Sequence, residues 1–138
     1  MARLYAQVCT VAFLILGIGG WFVGDAGHVV DHRAQGNVDG MVLHLTYGRD
    51  VLDLVLLAGF VAVAFVVGPR AGRVILGVIG VVLVGLAALG FAIGDTAAGT
   101  RSLASLHFPL AINVFDLVVG VLAVITALGP AEEEAASG

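Results

Sequence analysis

Two short patterns carry the residues that could do chemistry in this chain, Asp50-x-x-Asp53 and Asn113-x-x-Asp116. Residues three apart share a helix face, so each pair points in one direction. If Asp53 and Asp116 meet inside a helical bundle, they can hold a proton or bind a cation, because a carboxylate within a membrane is costly and marks function. The same spacing also suits capping. An Asp or Asn at the N-cap, with an acid three residues later, satisfies free backbone N–H groups and complements the positive end of the helix dipole. Asp50 fits the capping role, because an apolar run starts directly after it. Asn113 fits it less well: Leu110, Ala111 and Ile112 before it are apolar, and Pro109 is a natural first helical residue. A helix starting there puts Asn113 and Asp116 one to two turns inside.

Histidines form the second candidate set. His44 and His107 stand in equivalent places, and two imidazoles related by a pseudo-twofold could take a metal ion or the axial positions of a haem. Neither lies in an apolar run, so a polar interfacial role beside loop backbone is the competing reading. Asp25, His28 and His32 have spacings of three and four, and with His44 or His107 they would make a donor set for zinc or copper. His28-Val29-Val30-Asp31-His32 resembles a metalloprotease signature only loosely, with Asp in place of Glu and in a connection instead of a helix.

These residues are positioned by a repeat. Leu43-His44-Leu45 followed by Asp50-Val51-Leu52-Asp53-Leu54-Val55 recurs 63 positions later as Leu106-His107-Phe108 followed by Asn113-Val114-Phe115-Asp116-Leu117-Val118. Upstream, Arg3 matches Arg73, and Gly20 to Asp25 matches Gly90 to Asp95, at an offset of 70. Each half therefore predicts a helical hairpin. The apolar runs span about 4–23, 51–68, 74–93 and 109–128, and about 20 helical residues, roughly 30 Å, cross the hydrocarbon core. Gly68-Pro69-Arg70-Ala71-Gly72-Arg73 punctuates the middle, and the acidic tail 129–138 reads as disordered.

Composition agrees. Of 138 residues 60% are hydrophobic and only 12% charged, against roughly 25% charged in a soluble domain; mean hydropathy is +1.11. The expectation is an all-α integral membrane four-helix bundle, up-down-up-down, one domain over 1–138, built from two parallel-repeat hairpins. The net charge is −4 with no lysine, which excludes a nucleic-acid partner. The lone Cys9 permits no intramolecular disulfide and reads as a small buried apolar residue. The first run reads as a retained helix and not a cleaved signal, because its repeat partner sits in mid-chain.

Arginine placement is balanced: Arg3, Arg70 and Arg73 on one side, Arg33, Arg49 and Arg101 on the other. With both termini cytoplasmic in the cell membrane, the histidines and all seven aspartates fall at or near the outer face. Gly20-x-x-x-Gly24 and Gly90-x-x-x-Gly94 are small-residue faces of the kind that lets helices approach in lipid. Their symmetry predicts that the outer ends of the first and third helices touch, with a homo-oligomer interface as the alternative.

Through Asn113-Val114-Phe115-Asp116-Leu117-Val118-Val119-Gly120-Val121 the chain resembles an uncharacterised family of small four-span membrane proteins, a domain of unknown function found largely in actinomycetes. In that family the second helix of each half opens with a polar residue, then His-Leu and Gly-Val. Here Asp53 and Asp116 stand in place of the His, and Leu57 stands where Gly120 is matched. The resemblance implies a fold and a membrane location, and brings no activity with it.

No nucleophile elbow, Walker loop, dinucleotide fingerprint or CxxC is present in the sequence. The leading expectation is thus a non-enzymatic accessory or assembly subunit without a cofactor, which meets lipid and other membrane proteins or its own copies. The alternatives are an outer metal or haem site from His28, His32, His44 and His107, and proton or cation transport through Asp53 and Asp116.

Overall fold

A computed structural model describes residues 1–23, 29–30, 33–34, 47–93, 102–103 and 106–129. They form four α-helices: α1 over Ala2–Val23, α2 over Tyr47–Val61, α3 over Pro69–Ile93 and α4 over Leu110–Leu128. Two minimal antiparallel pairings accompany them, β1 (Val29–Val30) with β2 (Arg33–Ala34), and β3 (Ser102–Leu103) with β4 (Leu106–His107). The windows Ala2–Gly19, Pro69–Ile93 and Leu110–Leu128 are long and apolar enough to cross a membrane.

α2 departs from the expected run 51–68 at both ends. It begins at Tyr47, so Gly48, Arg49 and Asp50 belong to its first turn and Asp50 is not an N-cap. Its α-helical hydrogen bonding ends at Val61 and gives way to a π turn over Ala62–Val66, in which the Val67 N–H donates to the Ala62 carbonyl at 2.9 Å. The wider turn finishes the helix just before Gly68 and Pro69, where an α-helical bond to a proline nitrogen would be missing anyway. Pro69 then opens α3, where a fixed φ is an advantage and the absent N–H costs nothing. Arg70 and Arg73 accordingly lie within the first turns of α3 and not in a connection. At α4, Pro109 is the extended residue before the helix, with ψ 152°, and Asn113 and Asp116 lie inside, as the apolar residues before them require.

Packing follows small residues and aromatic rings. Phe13 on α1 stacks against Phe60 of α2 (centroids 5.1 Å) and Phe115 of α4 (5.7 Å). With Leu56, Val63, Leu76, Ile79, Leu83 and Ala123 they fill the centre. In lipid, close packing and not expulsion of water drives this association, so side-chain fit decides which faces meet. α3 and α4 come closest at Gly80 and Gly120, where a Cβ on either glycine would lie within 2.9 Å of the other's carbonyl oxygen.

Polar anchors tie the end of the bundle at which α1 and α3 begin. The Arg3 guanidinium donates to the Val67 carbonyl at 3.5 Å. Tyr5 donates its hydroxyl to the Val119 carbonyl at 2.6 Å. Arg73 donates through Nε to the Ala127 carbonyl at 3.0 Å and through Nη2 to the Gly129 carbonyl. The last carbonyls of α4 have no intrahelical partner, and this cation supplies one.

Of the four glycines expected to bring α1 and α3 together, Gly90 has its surroundings described, and they belong to α4. The nearest atoms to a Cβ built on Gly90 all belong to Asn113 of α4, so this glycine makes room for a polar side chain. Gly24 and Gly94 lie outside the described residues, as do the surroundings of Gly20.

Candidate functional site

The cluster sits where α2 and α4 begin, and starts from the register of α2. Arg49 and Asp53 are four residues apart and therefore share a face, with Asp50 between them. That face turns inward: Arg49 is 3% exposed, and Asp50 and Asp53 are fully buried. Across the interface α4 presents Asp116, which is 1% exposed.

Arg49 joins the two halves of the chain. Nη1 donates to Asp116 Oδ2 at 2.6 Å and Nη2 to Asp116 Oδ1 at 2.7 Å, a two-pronged arrangement that uses both carboxylate oxygens. Its Nε lies 2.9 Å from Asp53 Oδ1, a charge contact without the alignment of a hydrogen bond. The aspartates at equivalent repeat positions are thus gathered around one guanidinium. They do not pair with each other.

Asp50 is different. Its oxygens, like those of Asp53, accept no hydrogen bond from any described residue, but unlike Asp53 it forms no ion pair with Arg49. Its repeat equivalent, Asn113, donates through Nδ2 to the Phe108 carbonyl at 3.1 Å, which fastens the chain entering α4. Asn113 Oδ1 has no hydrogen-bond partner among the described residues. Capping in the expected sense is absent at both places, since each residue lies inside its helix.

Among the described residues the cluster holds one cation, Arg49, and three carboxyl groups, Asp50, Asp53 and Asp116. Arg49 can neutralise one of them fully. An unpaired buried carboxylate costs several kcal/mol, on the order set by the loss of its water, so the remaining negative charge requires a proton or another positive partner. A guanidinium, always charged, is suited to the fixed role.

In the sequence Arg49 reads only as one of three arginines on the same side of the membrane, not as part of a site. The available signal was its position four residues before Asp53 at the head of an apolar run. It was hidden because Arg49 aligns with Ile112 in the repeat, so symmetry pointed away from it. Of the histidine set, His107 lies in β4, paired through its backbone with Ser102. Asp25, His28, His32 and His44 lie outside the described residues. Among the described residues no group of three His, Cys, Asp or Glu is set to hold a metal ion.

Comparison with protein-family models, with curated proteins and with solved structures finds no match for this chain.

Proposed function

We propose that this chain is a four-span protein of the cell membrane, an up-down-up-down bundle of two parallel-repeat hairpins with both termini in the cytoplasm. Its working part is the arginine–aspartate cluster at the outer end, which takes up positive charge, a proton or a small cation, from that side. The observation that carries this reading is the excess of buried carboxyl groups over guanidinium at one site. A group of this kind within a membrane span is expensive unless it does something.

Contacts between helices support the arrangement. Gly17 of α1 lies beside Leu54 of α2 and Phe13 beside Phe60, so α1 is followed downward as α2 is followed upward. Gly77 lies beside Ala127 and Gly90 beside Asn113, which gives the same relation for α3 and α4. α2 with its π turn provides about 20 residues, enough for a fourth span.

The site is one-sided. Between the cluster and the other end of the bundle the buried residues among those described are apolar, including Leu56, Phe60, Val63, Leu76 and Phe13. The hydroxyls of Tyr5 and Thr10 are bound to the Val119 and Ala6 carbonyls, at 2.6 and 2.8 Å. That interior favours uptake and release at one surface over conduction through the bilayer. The exposed apolar faces of α1, α3 and α4 require no occupant other than lipid, so the accessory role has no comparably specific support.

The test is charge uptake by the purified protein in nanodiscs, read with a pH indicator in weakly buffered solution and with sodium and potassium isotherms. The wild type is expected to take up about one positive charge more than the variant Asp50→Asn/Asp53→Asn. Equal uptake by the two would overturn the proposal, and so would rapid proton or cation flux through liposomes containing the wild type.

A further inference from the structure

We infer that the species taken up is a proton and that Asp50 is the residue that carries it. The inference rests on the reading of the cluster above and assigns its ligand and its binding group.

The three carboxyl groups are not equivalent. Asp116 has both oxygens occupied by Arg49. Asp53 has Oδ1 2.9 Å from the same guanidinium. Asp50, fully buried, has neither oxygen engaged by any described residue. A carboxylate in that position has lost its water and has no hydrogen bond from any described residue in its place, whereas a carboxyl group is neutral and needs only an acceptor for its O–H. Protonation therefore relieves the charge at Asp50 at the smallest structural cost, leaving Arg49 to serve Asp53 and Asp116.

A metal cation fits the surroundings less well. Hard cations take six or more oxygens, and among the described residues three acidic or imidazole side chains do not converge as such a site needs. The adjacent guanidinium also repels a second cation, and at close range in a poorly screened interior that repulsion is strong. A proton needs neither a shell of ligands nor space.

Among the described residues the charged groups near Asp50 are Arg49 and Asp53 on its own helix and Asp116 on α4. The described arginines of α1 and α3 do not reach it. Arg3 bonds to Val67 and Arg73 to Ala127 and Gly129, at the opposite end of the bundle, and Arg70 is exposed in the first turn of α3. Asp50 is the fourth residue of α2, about 4.5 Å along the axis from the first.

Infrared difference spectra of the nanodisc protein, recorded between acidic and alkaline samples, test the inference through the carbonyl stretch of a protonated carboxyl group. The wild type is expected to show one such band that shifts in heavy water, and Asp50→Asn to lose it. Asp53→Asn should retain it, and so should Asp50→Glu, which keeps the carboxyl group and reports that the fold survives. A band that persists in Asp50→Asn, or disappears only in Asp53→Asn, overturns the assignment to Asp50 while uptake by the cluster stands. Sodium-dependent uptake with no carboxyl band overturns the proton and leaves the cluster as a cation site. Loss of uptake differences in every aspartate variant removes the underlying reading itself.

Discussion

Arg49 is the test of whether the cluster holds α2 and α4 together, and a cycle of substitutions separates attraction from burial cost. Arg49→Met keeps the length and apolar stem of the side chain but removes the fork on Asp116 and the contact with Asp53. Two buried carboxylates are then left without a counter-charge. Removing one partner of a buried pair typically costs 3–5 kcal/mol, and the double engagement of Arg49 puts the expected loss at about 4–5 kcal/mol. At about 1.4 kcal/mol per tenfold change, this is roughly a thousandfold shift towards unfolded protein. Asp116→Leu should cost somewhat less, about 3 kcal/mol, because Arg49 retains Asp53. The triple variant Arg49→Met/Asp53→Leu/Asp116→Leu removes the charges together and should recover most of the loss, since apolar replacement of a buried ion group is often neutral. The exposed Arg70→Met is the control and should stay within about 0.5 kcal/mol of wild type. Reversible unfolding in mixed detergent micelles, followed by far-UV circular dichroism, supplies the numbers. An Arg49→Met variant as stable as Arg70→Met would refute the account, and so would a triple variant as unstable as Arg49→Met alone.

Two further expectations concern packing and helix ends. Gly80→Ala places a methyl group 2.8 Å from the Gly120 carbonyl and 2.9 Å from the Val124 nitrogen, backbone atoms that cannot turn aside, so a loss of about 1–3 kcal/mol is expected by the same unfolding assay. Gly85→Ala has open space and should be neutral or stabilising by up to about 1 kcal/mol; equal effects at the two sites would dismiss the close crossing. Arg73→Met withdraws the donors to the Ala127 and Gly129 carbonyls, and amide hydrogen exchange should quicken in the last turn of α4 while the first turn of α4 is unchanged.

Much of the architecture was legible because the period and the length of the apolar runs leave few options. An apolar run of about 20 residues without charge is a helix, and Gly-Pro between two such runs ends one and begins the next. The position of Asn113 and Asp116 within α4 could be read from three apolar residues and a proline. What could not be read was the choice of partner for each helix face. Gly90 read as one member of a symmetric α1–α3 contact; its described neighbour is Asn113 of α4, and a close glycine crossing that spacing did not single out falls at Gly80 and Gly120. Small-residue spacing states that some backbone comes near; it carries no label saying which one.

The cluster is asymmetric with respect to the two copies of the sequence pattern. At the first copy the sequence reads Arg49-Asp50-Val51-Leu52-Asp53, and at the second Ile112-Asn113-Val114-Phe115-Asp116. Two exact copies of the first would bury two guanidiniums and four carboxyl groups around one axis; two exact copies of the second would bury two carboxyl groups with no cation. The chain has one of each. One guanidinium then reaches the carboxylate of the opposite half and that of its own helix, and the Asp50-to-Asn113 difference replaces one ionisable group by a neutral one that fastens its loop at Phe108. The second copy of the pattern thus brings one carboxyl group fewer to the cluster, and at the matching position of the first copy Asp50 accepts no hydrogen bond from any described residue. Restoring symmetry with Asn113→Asp should add a fourth buried carboxyl group beside Gly90 and break the bond to Phe108.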